Sequence, residues 1–187
     1  MRIALLTLFI IFLTSCSLPY LNPDVEILSY EEYKNALPTK ITNKFKLNGK
    51  LSLFLNKKGQ TGKILWDFEN DKDFIHILTP FNTKIAEIIL LEAEKKVTLK
   101  FLNNNNQDSE ELISKIFGKM ENIFLLKEFI TSPPQQLLNT DNIQIKYGNW
   151  NIFYKGKKVV EGQLLANIIE FEKNNISLKI FVSNWIL

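Results

Sequence analysis

Cys16 and His76 are the single cysteine and the single histidine in a chain of 187 residues, and they bound the chemistry it can perform. One of each excludes a cysteine and histidine metal cluster, a zinc ribbon and an internal disulfide. A nucleophile needs a base, and here that base would have to be His76. It lies in Phe74-Ile75-His76-Ile77-Leu78, a strand-like run with apolar residues on both sides, which reads as a satisfied or edge histidine. The chain has no glycine-rich phosphate loop, no Gly-x-Ser-x-Gly elbow and no carboxylates at metal-binding spacing. Glu110-Glu111 is explained as a pair at a helix start. The expectation is a protein that is not an enzyme and uses no cofactor or metal. The formal net charge is +3, but Arg2 is the sole arginine, which speaks against a nucleic-acid partner because Arg is the usual bidentate reader of phosphate and guanine.

Cys16 takes its meaning from what precedes it. Arg2 gives a thin positive start, and Ile3 to Leu13 is an apolar run interrupted by Thr7 and followed by small residues, the pattern of a secretory signal. That run is about half the roughly 20 residues a membrane-spanning helix needs. Leu13-Thr14-Ser15-Cys16 resembles the lipobox of bacterial lipoproteins. The resemblance implies removal of residues 1–15 and a mature chain that begins at Cys16 with a covalent N-acyl diacylglycerol. The plain alternative is an inert cysteine behind an ordinary signal. Ser17, where Asp would favour retention in the inner membrane, points to the periplasmic face of the outer membrane.

The rest of the chain must position whatever the anchor carries. Residues 16–44 read as the lipidated cysteine, a tether with Pro19 and Pro23, and an amphipathic helix over Asp24 to Leu37 closed by Pro38. From Phe45 the apolar period becomes two. Phe45, Leu47, Leu51, Leu53 and Leu55 alternate with polar residues, and Gly49 marks a bend or bulge. Lys57-Lys58-Gly59 and Asn70-Asp71-Lys72 read as turns. Ile64 to Phe68, Phe74 to Leu78, Lys84 to Leu91 and Val97 to Leu102 complete five strands of an antiparallel meander.

Two helices follow, one from Asp108 or Ser109 to Gly118 and one from near Asn122 to Ser132-Pro133-Pro134. Five further strands are expected at Ile143 to Tyr147, Trp150 to Tyr154, Val159 to Leu165, Ile168 to Phe171 and Ile176 to Trp185, with Lys155 to Lys158 as a turn. The fold class is mainly β with helices: a curled antiparallel sheet of about ten strands, 45–187, with a helical cap at about 108–131.

Fourteen Phe, five Tyr and three Trp, with runs such as Ile88-Ile89-Leu90-Leu91, allow two interiors. One is an ordinary packed core. The other is a cavity on the concave face of the curled sheet that shelters an apolar ligand.

The order of these features resembles the LolB family of outer-membrane lipoprotein receptors. The resemblance rests on Phe45 to Leu51, Trp66, Leu78-Thr79-Pro80-Phe81-Asn82-Thr83, Val97-Thr98-Leu99, Ile116-Phe117-Gly118 and Asn184-Trp185-Ile186. It implies an unclosed antiparallel β-barrel with a helical lid around an apolar cavity. Such a protein accepts acylated lipoproteins from the periplasmic carrier LolA and inserts them into the outer membrane, working as a monomer.

Carried over residue by residue, Pro80, Phe81 and Asn82 would form the membrane-insertion loop. Trp66, Phe68, Trp150 and Trp185, with Ile116, Phe117, Leu126 and Phe129 from the lid, would wall the acyl-chain cavity. The family commonly has Leu then Gly where this chain has Phe81 and Asn82. Phe81 either stands free at the loop tip or folds back onto the core. The alternative is a lipid-binding or structural outer-membrane lipoprotein of the same fold that does not transfer lipoproteins.

Overall fold

Alternating side chains, one facing the core and the next facing out, run through nearly every strand of the molecule. The computed structural model describes residues 25–36, 44–56, 58–102 and 123–187. Its elements in chain order are β1 (Glu26–Ser29), α1 (Tyr30–Asn35), β2 (Lys44–Leu55), β3 (Lys58–Glu69), β4 (Lys72–Leu78), β5 (Lys84–Leu91) and β6 (Lys96–Phe101). After these come α2 (Ile123–Thr131), a 3-10 turn (Gln135–Leu138), β7 (Asn142–Tyr147), β8 (Trp150–Val160), β9 (Gln163–Lys173) and β10 (Ile176–Ile186).

The strands form one sheet in the order β1-β7-β8-β9-β10-β2-β3-β4-β5-β6. Every neighbouring pair is antiparallel except β1 with β7. β1 and β6 are its two edges, so the sheet is not closed.

Two meanders, β2 to β6 and β7 to β10, are joined where β10 pairs with β2, bringing Trp185 opposite Leu47. Residues on one face of this sheet, among them Phe45, Leu47, Trp66, Ile75, Ile88, Ile152, Tyr154, Ile169 and Ile180, are buried in a single apolar cluster. Gly49 lies at the irregular point of the junction. The bulge is in the partner strand, between Val182 and Asn184, and a Cβ on Gly49 would lie 2.5 Å from the Phe181 carbonyl oxygen.

The five-strand meander stands as read from the sequence, but several boundaries do not. Asp24 to Leu37 is not one helix: within its described part, Glu26–Ser29 is a strand and the helix starts at Tyr30. The cause is a capping box, in which the Ser29 Oγ accepts from the Glu32 N–H and Glu32 Oε2 accepts from the Ser29 N–H. The turn expected at Lys57-Lys58-Gly59 begins earlier, at Asn56 with φ +50°, because Lys58 and Gly59 already pair with Leu55 and Phe54.

Lys155 to Lys158 is not a turn either. β8 runs through it, and the chain reverses at Glu161-Gly162, whose φ values of +49° and +79° suit a tight hairpin. The strands expected at Trp150 to Tyr154, Val159 to Leu165 and Ile168 to Phe171 therefore become two, and β1 restores the total of ten. The helix expected from Asp108, with Ile116 and Phe117, lies outside the described residues, and so does the segment containing Cys16.

Replacing Gly49 with alanine drives a methyl group into the Phe181 carbonyl where the two meanders join. Overpacking of this kind costs about 1–3 kcal/mol. Gly49→Ala is expected to lower the midpoint of chemical denaturation accordingly, whereas Gly148→Ala, in a turn with open space around it, is limited to the strain of its positive φ.

Candidate functional site

α2 lies against the buried face of the sheet, and its own sequence explains why. Ile123, Lys127 and Ile130 fall at i, i+4 and i+7 on one stripe and all are buried, with Phe129 beside them. A lysine on a buried stripe needs a counter-charge, and Asp73 supplies it from a core-facing position of β4 where Ile75 and Ile77 would otherwise predict an apolar residue. Lys127 Nζ donates to Asp73 Oδ2 at 2.9 Å and to Glu92 Oε1 at 2.7 Å. It also lies 3.3 Å from the centre of the Phe68 ring. The second oxygen of Asp73 accepts from the Trp66 indole N–H at 2.7 Å. Burial pushes the Asp73 carboxyl above the usual carboxylate range, while Lys127 and the Trp66 N–H pull it back down.

The C-terminal end of α2 is held by two buried phenols. Tyr154 donates to the Phe129 carbonyl at 2.8 Å, and Tyr33 of α1 donates to the Ser132 carbonyl at 3.0 Å. Phe129 is in the last turn and Ser132 just past it, positions whose carbonyls the helix itself leaves without partners. Burial raises both phenol pKa values, so both remain donors. Lys34 of α1 adds an ion pair to Glu128 at 2.8 Å.

The aromatic residues expected to wall a cavity divide into three sets. Phe45 holds Trp66, Phe68 and Trp185 around it, with ring centres 6.0, 5.6 and 5.7 Å away. Phe129 is buried about 6 Å from Tyr147 and Phe171, and Leu126 is half-buried on the same helix. Trp150 stands apart beside the β7–β8 turn, half-buried, with the Lys173 ammonium 5.4 Å from its ring centre. The indole N–H of Trp185 is buried and makes no hydrogen bond among the described residues. A separate open pocket between α1 and the 3-10 turn is lined by Glu32, Asn35, Ala36, Gln135, Gln136, Leu138 and Asn139 and contains none of the residues expected to wall the cavity.

Pro80, Phe81 and Asn82 form the tip of a tight turn between β4 and β5. The Asn82 N–H donates to the Thr79 carbonyl at 3.0 Å, and the Thr79 N–H donates to the Thr83 carbonyl at 2.8 Å. Pro80 occupies the second position of this turn, where its fixed φ is favourable. Asn82 has φ +68°, a conformation that glycine and asparagine tolerate best. Lys63 of β3 clamps the tip by donating to Asn82 Oδ1 at 2.6 Å. The turn is thus closed by its own hydrogen bonds, and Phe81 is 89% exposed at its tip rather than folded onto the core. His76 is on the outer face of β4, with Nε2 3.1 Å from Glu87 Oε2.

Lys127, Asp73 and Glu92 were not marked by sequence reasoning. The available signal was a pair of opposite charges at positions whose period assigns them to the core.

Removing Lys127 leaves Asp73 buried without its cation, a change that costs about 3–5 kcal/mol. Lys127→Ala is expected to lose stability on that scale in chemical denaturation. The double variant Lys127→Met with Asp73→Asn recovers much of it, because no uncompensated charge remains buried.

The chain matches the family described as "Outer membrane lipoprotein LolB" over residues 43–185. It is similar to the "Outer-membrane lipoprotein LolB" of Tolumonas auensis, with 22% identity over 183 residues that cover 94% of this chain and 92% of the relative. Among solved structures it is similar to a DUF1329 family protein from Desulfovibrio piger, with a TM-score of 0.40 and 10% identity over 79% of this chain and 85% of that one. The family match takes in β2 through most of β10, and on that match the chain belongs to the LolB family of non-enzymatic outer-membrane lipoproteins.

Proposed function

We propose that this protein is anchored to the periplasmic face of the outer membrane, takes acylated lipoproteins from the carrier LolA, and inserts them into that membrane. The anchor in this reading is the N-acyl diacylglycerol on Cys16. Among the described residues no helix is long and apolar enough to cross a membrane. At about 0.8 kcal/mol per methylene, exposing a chain of about sixteen carbons to water costs on the order of 12 kcal/mol. Cargo in transit therefore needs an apolar shelter.

The shelter is the concave face bounded by Trp66, Phe68 and Trp185, with Phe129 and Leu126 from α2 and Trp150 at the rim. Ile116 and Phe117, assigned to a lid by the family resemblance, lie outside the described residues. The free Trp185 N–H suits an ester carbonyl at the head of an acyl chain. No nucleotide is required if the membrane holds the acyl chains more tightly than this chain does, and this chain more tightly than the carrier.

The observation that carries the reading is Phe81, a large aromatic side chain almost wholly in solvent on a turn that its own hydrogen bonds keep closed. Aromatic groups partition into the membrane interface, and a rigid pedestal presents this one without an ordering penalty.

The test separates receipt from delivery. Wild-type protein is expected to take acylated lipoprotein from a loaded carrier and release it to liposomes. Burying a Phe side chain is worth about 1.5–3 kcal/mol. Phe81→Glu is therefore expected to accept cargo normally and to deliver it about tenfold or more slowly. Normal delivery by that variant would remove Phe81 from the mechanism. Failure of the wild-type chain to take any cargo would favour a lipid-binding or structural role.

A further inference from the structure

The outer faces of β2 and β3 treat charge differently at one end and at the middle of the pair. At the end remote from Phe81, each lysine of β2 faces an acid of β3: Lys44 pairs in register with Glu69, and Lys46 with Asp67, with Lys46 Nζ 2.7 Å from Asp67 Oδ2. Midway along the pair, level with the Phe81 turn that follows β4, the pattern inverts, and Lys50 stands directly opposite Lys63. Like charges facing each other across an antiparallel pair are destabilising. Lys50 is exposed with no ion-pair partner among the described residues, and Lys63 gives its hydrogen bond to the neutral amide of Asn82.

The same row continues across the sheet. Lys63 pairs with Leu78 of β4, and Leu78 pairs with Lys84 of β5 through a register shift. That shift turns Ile85 onto the core and sends the Lys84 ammonium to the outer face, 3.2 Å from Glu87. Lys100 of β6 lies 3.8 Å from the same carboxylate. Lys84 and Lys100 thus share one acid, Glu87, whose carboxyl Lys84 holds below the usual range, while Lys50 and Lys63 have no acid partner among the described residues.

We propose that Lys50, Lys63 and Lys84 form a docking surface for anionic phospholipid headgroups, which lays the outer face of the sheet on the bilayer and aims Phe81 into it. The inference rests on the reading of Phe81 as the membrane-facing residue and adds the lipid class that recruits it. A lipid partner fits better than a protein one for two reasons. Lys63 is bonded to the residue next to Phe81, so whatever Phe81 enters, the lysine reaches as well. The row also lies on the face opposite the buried apolar cluster, away from the side on which a carrier would hand over an acyl chain. An exposed aromatic flanked by lysines is the usual make-up of an interfacial anchor. The repulsion between Lys50 and Lys63 is relieved when phosphates come between them.

The test uses the full chain purified from membranes with its native anchor. Cys16 is the single cysteine and is acylated in this reading, so Thr61→Cys, exposed on the outer face of β3 beside this row, takes one nitrobenzoxadiazole label. The labelled protein is placed in vesicles of phosphatidylcholine alone or of equimolar phosphatidylcholine and phosphatidylglycerol. Emission is expected to rise in the anionic vesicles and to fall back in high salt, which screens exposed charges. Each neutralised lysine is expected to reduce the docked-to-undocked ratio about fivefold, and K50Q/K63Q/K84Q about a hundredfold.

Equal emission in the two lipids, or a rise that survives in the triple variant, overturns the proposal. A rise that needs added carrier instead of anionic lipid overturns it in favour of a protein-facing surface. The triple variant also loses the Lys63–Asn82 bond and the Lys84–Glu87 pair, so the control is K50Q alone, which touches neither: it is expected to denature at the same midpoint as the parent or later and still to lose about fivefold in docking. The Phe81 reading fails separately. If Phe81 does not insert, Phe81→Glu delivers cargo normally whatever the label reports about lipid charge.

Discussion

Lys127 carries a full charge into the apolar interior, and the arrangement around it decides how the only long helix among the described residues sits on the sheet. A lone ammonium there would be costly to bury, so the position is tenable because three groups meet it together: the carboxylates of Asp73 and Glu92 and the face of Phe68. Asp73 is in turn oriented by the Trp66 indole. The interaction therefore fixes α2 against β3, β4 and the end of β5. Apolar packing alone is non-directional and would leave the helix free to slide. The ion pair gives the helix one register.

The C-terminal end of α2 is tied to the other half of the molecule. Tyr154 comes from β8 and Tyr33 from α1, and both reach carbonyls at the helix terminus. α2 thus bridges the two meanders, which otherwise meet through the pairing of β10 with β2. That pairing joins strands far apart in the chain, and Gly49 makes it possible by letting the Phe181 carbonyl approach closely. An open sheet of this length with free edges has little else to set its curvature. The bulge at Val182 and the helix across the concave face do so jointly.

The legible part of the sequence was the part governed by a single local rule. Period-two alternation gave Phe45 to Leu55 and Ile176 to Trp185 with nearly correct limits, and Ser132-Pro133-Pro134 ended α2 where expected. Readings failed where two local rules competed. Val25 to Leu28 has a pattern weak enough to serve strand or helix, and parallel pairing with β7, a contact with no local trace, decided for strand. Lys155-Gly156-Lys157-Lys158 has the composition of a turn. The Gly156 N–H instead donates to the Asp141 carbonyl, and β8 continues on both sides of it. The Thr79–Thr83 turn was legible through its resemblance to the family's protruding loop, and Pro80 and Asn82, which each favour one backbone conformation, explain why it forms. The Lys127 network was not, since its five members, Lys127, Asp73, Glu92, Phe68 and Trp66, are brought together by four separate elements or their ends.

On the proposed reading, the polar ties of α2 and its apolar face have different jobs. An acyl chain entering the concave face competes with Phe129, Ile130 and Leu126 for the same apolar surface, and exchanging one hydrocarbon for another changes the free energy little. Leaving Asp73 and Lys127 unpaired in that interior would change it a great deal. On this reading a helix held this way gives up apolar contacts to cargo and keeps its charged ones. The same division holds at the rim. Phe81 supplies apolar contact with no specificity of its own, and the turn beneath it, closed by Thr79, Thr83 and Lys63, supplies the direction.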